Sequence, residues 1–271
     1  MRQYSLCSSN AATSHYRIAV KQEPGSRGGS RAMHERVRRG DRLAIAGPRN
    51  NFAMAPDAGH SILIAGGIGI TPLLCMALDL HARGRSFELQ YFSRSLAHTA
   101  FHATLSHPGF ANQVGFHYAL DPDAVRAYMR KHLWHRQEGA HLYLCGPRPF
   151  MDLVEQTAAV TWPPESVHLE YFQADPAALA GPRETFLVKL ARSGRQCVVP
   201  PDKSIVRALE EVGVYVETSC EQGVCGTCLT GVLDGVPDHR DVFLTDEEKA
   251  ANDRMLVCVG RARSDVLVLD L

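Results

Sequence analysis

Four cysteines constrain this chain more than any other feature. Cys220, Cys225 and Cys228 stand at C-x4-C-x2-C spacing, and Cys258 follows after 29 intervening residues. At that spacing four thiolates can hold a [2Fe–2S] cluster, three of them from one short loop. Such a loop must curl tightly, and Gly223 and Gly226 can take the positive φ that curling requires. The curl turns backbone N–H groups toward the sulfurs, where they tune the potential. A structural zinc site usually pairs its cysteines in two short knuckles, and only one C-x2-C exists here. Disulfides suit secreted proteins, and nothing in the chain marks a secreted one.

The flanks agree with a cluster-binding fold. A strand is expected at Gln196–Val199 and a short helix over 205–212, just before the cysteine loop. Thr245, with Glu248 three residues on, reads as a capping box that starts a helix at Asp246. A strand over 256–259 would deliver Cys258. Strand, helix, cysteine loop, helix and strand-borne cysteine in this order resemble a plant-type ferredoxin domain, an α+β fold of the β-grasp kind.

A chain of 271 residues has room for two domains, or three small ones. Lys+Arg and Asp+Glu stand at 29 each, so no global field points to nucleic acid or a membrane surface. No apolar run approaches the roughly 20 residues of a membrane span, and no signal-peptide pattern opens the chain. Cys7, Cys75, Cys145 and Cys197 lie outside the cluster motif and suit a reducing cytoplasm, the expected location. The 13 histidines are scattered without metal-ligand spacing.

The chain opens with R-x-Y-S-L (Arg2, Tyr4, Ser5) and an alternating strand over 16–21. A turn at Arg27, Gly28, Gly29 and Ser30 leads into a short helix over 32–37, and another strand is expected over 40–47. An arginine, small residues and a helix start can cradle an anion, and Tyr4 could lay its ring on a flat heterocycle. The same residues also read as a basic surface hairpin.

A strand over 62–65 then runs through a turn with Gly66, Gly67 and Gly69 into a helix whose first turn holds Thr71 and Pro72. The turn is not a strict G-x-G-x-x-G, yet it lets a pyrophosphate approach backbone N–H groups. Strands over 88–92, 114–118, 141–144 and 167–172 alternate with helices over 96–105, 123–133 and 149–160. Such alternation argues a parallel sheet with helices on both faces. Cys145, Gly146 and Pro147 stand where a strand ends and a helix begins, where open α/β sheets bind ligands. Core packing is the other reading of Cys145. Ser93 and Arg94 stand where an adenosine ribose or its phosphate would be met, and without an acidic ribose partner both NADH and NADPH remain open. The Ala- and Pro-rich stretch 173–183 reads as an interdomain linker.

Taken in order, R-x-Y-S-L, S-R-G-G-S, G-G-I-G-I-T-P, C-G-P and the C-terminal cysteine domain resemble the phthalate dioxygenase reductase family. That family includes vanillate O-demethylase reductase subunits, which supply electrons to Rieske-type oxygenases. The resemblance implies a multidomain chain: a partial antiparallel flavin-binding β-barrel at 1–54, an α/β NAD(P)-binding domain with a parallel sheet at 55–174, a linker at 175–184 and a [2Fe–2S] ferredoxin domain at 185–271. It implies FMN bound by Arg2, Tyr4 and Ser5 and lined by Ala19, Val20 and Lys21, with Arg27, Gly28, Gly29 and Ser30 on its phosphate. Thr71 and the segment Glu170, Tyr171, Phe172 would sit beside the isoalloxazine. The nicotinamide nucleotide would lie over Gly66, Gly67, Gly69, Thr71, Ser93, Arg94, Gly146 and Pro147, with Cys145 against the nicotinamide to favour hydride transfer. Cys220, Cys225, Cys228 and Cys258 match the cluster ligands.

The implied activity is that of an NAD(P)H-dependent oxidoreductase, passing a hydride to FMN and single electrons through the cluster to a Rieske-type oxygenase. In the family R-x-Y-S-L lies in the middle of a six-stranded barrel. Here it begins at residue 2, so about half the barrel is expected to be missing from the N-terminus, at 5–6 residues per strand plus turns. The rival reading is a truncated, ferredoxin-like electron carrier without flavin activity.

Overall fold

A strand covered on both faces carries apolar residues at successive positions rather than at alternate ones. β1 (His60–Gly66) is such a strand, with Ile62, Leu63, Ile64 and Ala65 all buried. In the computed structural model, which describes residues 2–9, 14–25 and 28–271, β1 is central to a five-stranded parallel sheet. Its companions are β2 (Phe87–Ser93), β3 (Val114–Tyr118), β4 (Ala140–Cys145) and β5 (Val167–Glu170), in the order β3-β2-β1-β4-β5. α2 (Ile70–Ala82) covers one face, packing Ile70, Leu73, Leu74 and Ala77 with Leu63, Leu89, Tyr91 and Tyr143. On the other face α4 (Pro122–Leu133) buries Val125, Met129 and Leu133, and α5 (Arg148–Ala158) buries Met151, Val154 and Ala158. The strand order reverses between β1 and β4, so their carboxyl ends flank the crevice where open α/β sheets bind ligands.

Ahead of and within this sheet the structure departs from the expected elements in two ways. The helix expected over 96–105 is a 3-10 turn (Leu96–His98) followed by α3 (His102–Leu105), interrupted by Phe101 at φ 60°. Ahead of β1, one isolated antiparallel bridge joins Leu6 to Ile18, and α1 (Gly29–Glu35) follows the glycine turn. The strands expected over 16–21 and 40–47 form no ladder among the described residues, and Leu43 and Ile45 are exposed. Alternating side chains make a strand only where a neighbour takes up the backbone N–H and C=O groups.

This first compact unit spans Tyr4–Glu170; the second comprises Tyr171–Leu271 with Arg2 and Gln3. In the second, β6 (Phe186–Leu190), β7 (Gln196–Val199), β8 (Leu229–Asp234), β10 (Arg254–Leu256) and β12 (Val266–Leu269) form a mixed sheet in the order β10-β8-β12-β6-β7. β9 (Pro237–Asp238) pairs with β11 (Arg261–Ala262). α7 (Ile205–Glu211) lays Ile205, Val206, Ala208 and Leu209 into a core with Phe186, Val188, Val199 and Leu267, the β-grasp arrangement. α8 (Asp246–Ala251) opens with the expected capping box, Glu248 N–H donating to Thr245 Oγ1 at 3.2 Å and Thr245 N–H to Glu248 at 3.0 Å. The strand expected over 256–259 stops at Leu256, and Cys258 sits in the turn that follows, closed by Gly260 N–H to the Leu256 carbonyl at 2.9 Å. A turn frees Cys258 from the alternation a strand would impose. Among the described residues no helix is long and apolar enough to cross a membrane.

Two buried guanidiniums tie down the segment that enters this sheet. It contains the short helix α6 (Pro176–Leu179). Arg240, 4% exposed, pairs with Asp238 at 2.7 Å and donates to the carbonyls of Leu179, Gly181 and Pro182. Arg261 donates to the carbonyls of Lys203 and Glu184, both at 2.8 Å, and Pro200 at 3.1 Å. Removing either side chain leaves three carbonyls without that donor. Arg240→Ala is expected to cost about 2 kcal/mol, a fall of roughly 10 °C in the calorimetric transition of this unit. The transition of the other unit should stay in place, and an unchanged profile would contradict the assignment.

Candidate functional site

The cysteine loop curls as its glycines require. Gly223 and Gly226 adopt φ of 70° and 71°, and Glu221 also lies in the left-handed region. At Gly226 a Cβ would come within 2.3 Å of the Phe243 ring; at Gly223 it would stand 2.8 Å from Val259. The segment after β9 braces the loop, with Val242 N–H donating to the Gly223 carbonyl at 3.0 Å. Buried Asp241 anchors that segment by accepting from Phe243 and Leu244 N–H at 3.2 and 2.8 Å. The four thiols lie as two hydrogen-bonded pairs, Cys220 with Cys225 and Cys228 with Cys258. The Cys220 thiol holds its Cys225 partner down at about 4, and Cys258 does the same in direction for Cys228. Backbone N–H groups turn inward as expected. Gln222 N–H meets Cys220 Sγ at 3.2 Å, Thr227 serves Cys225, and Gly223 serves Cys258. Two pairs are what two irons need, at two thiolates each. No three described His, Cys, Asp or Glu side chains converge as ligands of one metal ion would.

The second cluster of expected residues gathers at the crevice between β1 and β4. Here the two glycine turns meet backbone to backbone: a Cβ on Gly69 would lie 2.1 Å from the Cys145 carbonyl oxygen, and one on Gly146 3.0 Å from Gly66 Cα. Thr71, in the first turn of α2, is buried and donates its hydroxyl to the Ile68 carbonyl at 3.0 Å. Tyr91 reaches from β2 to the Gly67 carbonyl at 3.0 Å. Ser93 engages Thr99 at 2.7 Å in the loop after β2, while Arg94 and Pro147 are exposed.

Cys145 is fully buried and paired in the ladder with Glu170. Burial, reinforced by the Glu170 charge, pushes its thiol well up. Glu170 is itself pushed up to about 7 by burial, against the pull of the Ser5 hydroxyl, which donates to it at 3.3 Å. Sequence reasoning placed Glu170 only within a segment and missed its partner, because 165 positions separate the two.

Of the remaining expected residues, Tyr4 is half-buried, Ala19 packs against the core of the first unit, and Val20 accepts from His34 at 2.7 Å through its carbonyl. Lys21 is exposed and pairs with Glu23 at 2.8 Å. Gly28 takes φ 95° with open space beside it, Gly29 begins α1, and Ser30 Oγ accepts from Glu23 N–H at 3.2 Å. The turn is open at Gly28, whereas the Lys21 charge is already matched by Glu23. Arg27 lies outside the described residues. Arg2 and Phe172, both exposed, belong to the second unit.

Known proteins resemble this chain over both units. The 2Fe-2S iron-sulfur cluster binding domain family matches residues 188–263. A vanillate O-demethylase oxidoreductase of Pseudomonas sp. (strain HR199 / DSM 7063) is 47% identical over 272 residues, covering all of this chain and 86% of that protein. The phthalate 4,5-dioxygenase oxygenase reductase subunit of Pseudomonas putida is 41% identical, with 100% and 83% coverage. Among solved structures, phthalate dioxygenase reductase, a modular structure for electron transfer from pyridine nucleotides to [2Fe–2S], superposes with TM-score 0.75 at 39% identity, covering 100% of this chain and 83% of that one. The likeness spans the nucleotide-type unit as well as the cysteine domain, which tells against the rival reading of an electron carrier alone.

The raised Glu170 carboxyl has a consequence for stability. Its folded value lies above the unfolded one of 4.5, so its favourable contribution is complete below pH 4.5 and is lost as pH rises through about 7. Glu170→Gln should therefore relieve up to about 3 kcal/mol at pH 8.5 and little at pH 4.5. Tryptophan fluorescence reads this unit alone, since Trp134 and Trp162 are the chain's two tryptophans. Parallel stability–pH curves for variant and parent would contradict the assignment.

Proposed function

This chain belongs to the family of phthalate dioxygenase reductase and the vanillate O-demethylase oxidoreductases, and from that membership we propose that it is the reductase component of a Rieske-type aromatic oxygenase or O-demethylase, drawing electrons from NADH or NADPH. The observation that carries the reading is the two-pair thiol nest encoded in one chain with a glycine-lined α/β crevice. Cys220 and Cys225 would hold one iron and Cys228 and Cys258 the other. FMN would be met by Arg2, Tyr4, Ser5, Ala19, Val20 and Lys21, with Arg27, Gly28, Gly29 and Ser30 toward its phosphate and Phe172 beside its ring. When bound, flavin and cluster together convert a two-electron hydride donor into a source of single electrons.

The chain's own residues bind and orient. Gly66, Gly67 and Gly69 give a pyrophosphate close access to the backbone at the start of α2. Ser93 and Arg94 would meet the adenosine end, and Gly146 and Pro147 the nicotinamide end, with Thr71 between nucleotide and flavin. Cys145, kept a neutral thiol by burial, can lie against the nicotinamide without acting as a nucleophile. Burial keeps a proton on the Glu170 carboxyl for part of the time near neutral pH, against the Ser5 hydroxyl that donates to it. The proposed division is a flavin part at 1–54, a nucleotide part at 55–174, a linker at 175–184 and a ferredoxin part at 185–271, working in the cytoplasm.

Purified without oxygen, the protein should contain iron and sulfide in equal amounts. Cys258→Ser should lose most of both, whereas Cys197→Ser and Cys75→Ser, outside the nest, should keep them. Zinc without sulfide in the parent, or full iron in Cys258→Ser, would contradict the ligand assignment.

A further inference from the structure

One aromatic side chain stands where both glycine turns of the crevice meet. Phe150 occupies the first turn of α5, where its N–H donates to the Pro147 carbonyl at 3.0 Å. Its ring edge touches both turns: a Cβ on Gly66 would lie 2.9 Å from Phe150 Cδ1, and a Cβ on Gly146 3.0 Å from the same atom. Any side chain at either glycine would meet the ring, and any shrinkage of the ring would leave both turns unsupported on that side.

The ring does not stand alone. Phe92, at the end of β2, lies 5.3 Å from it between centroids, and His117 of β3 stacks on Phe92 at 4.3 Å with 15° between planes. Tyr128 of α4 backs both Phe92 and His117, at 5.7 and 4.4 Å. Gln90 fixes that layer by accepting from Tyr128 at 2.9 Å and bonding His117 at 2.8 Å. Interiors packed in this way resist sub-ångström displacement. Phe150 therefore transmits the position of a rigid ring layer to two loops that glycine would otherwise leave loose.

We infer that Phe150 is a positioning residue for the nicotinamide nucleotide, its ring holding the Gly66 and Gly146 turns at the separation that lets the dinucleotide reach their backbone. The inference rests on the reading of this crevice as the pyridine nucleotide site. Loosening the turns should weaken binding of the nucleotide, because the bound geometry then has to be ordered at the moment of binding. It should leave the cysteine nest untouched.

The test is calorimetric binding of NAD+ to the 271-residue protein, with iron content and thermal midpoint measured beside it. Phe150→Ala should raise Kd about tenfold and raise KM for NADH more than it lowers kcat. Phe150→Leu, which keeps a methyl group near the glycines, should recover Kd to within about threefold of the parent. Both variants should keep parental iron. Parental binding with Phe150→Ala within twofold of it would overturn the inference, as would equal losses in the Ala and Leu variants. Absence of NAD+ binding by the parent itself would instead overturn the reading of the crevice.

Discussion

Bringing four thiols into two pairs requires a loop that doubles back within nine residues, and only a backbone with positive φ at several points can do so. Gly223 and Gly226 provide it, and neither can be replaced without collision, since Val259 and the Phe243 ring occupy the places where side chains would go. Much of the second unit follows from that curl. Asp241 anchors the brace that supports it, the capping box fixes the start of α8, and β10 ends two residues short of Cys258 so that the last thiol can leave the sheet. Burial and inward N–H groups then set the charge of the nest: every donor aimed at a sulfur favours the thiolate form that metal requires.

The first unit uses glycine for a different purpose. At Gly66, Gly69 and Gly146 the missing side chain permits close approach of two backbones across the switch point of the parallel sheet. Beside that contact stand a fully buried thiol and a carboxyl raised to about 7, both shifted chiefly by burial. A neutral thiol and a carboxyl near its midpoint suit a site that orients a hydride donor and needs no strong acid or base.

How legible this was in the sequence depended on range. Cysteine spacing, the capping box at Thr245 and the strand–turn–helix at Gly66 are local patterns, and the structure follows them closely. The 96–105 segment, expected as one helix, is divided by Phe101 in the left-handed region. The extended stretches 16–21 and 40–47 look like strands because alternation is local, whereas pairing is not. Phe150 and the Ser5–Glu170 contact escaped altogether. The first carries no motif beyond standing three residues after Pro147, and the second joins the two ends of a unit. The two staples Arg240 and Arg261 were equally hidden, since nothing local shows that an arginine will end up capping distant carbonyls.

The central claim is that electrons from a pyridine nucleotide reach the cluster held by Cys220, Cys225, Cys228 and Cys258. The direct measurement is low-temperature electron paramagnetic resonance of the protein, supplied with FMN and mixed anaerobically with NADH. The account predicts a rhombic signal of a reduced [2Fe–2S] centre, matching the one dithionite produces. A dithionite signal with none from NADH would contradict it.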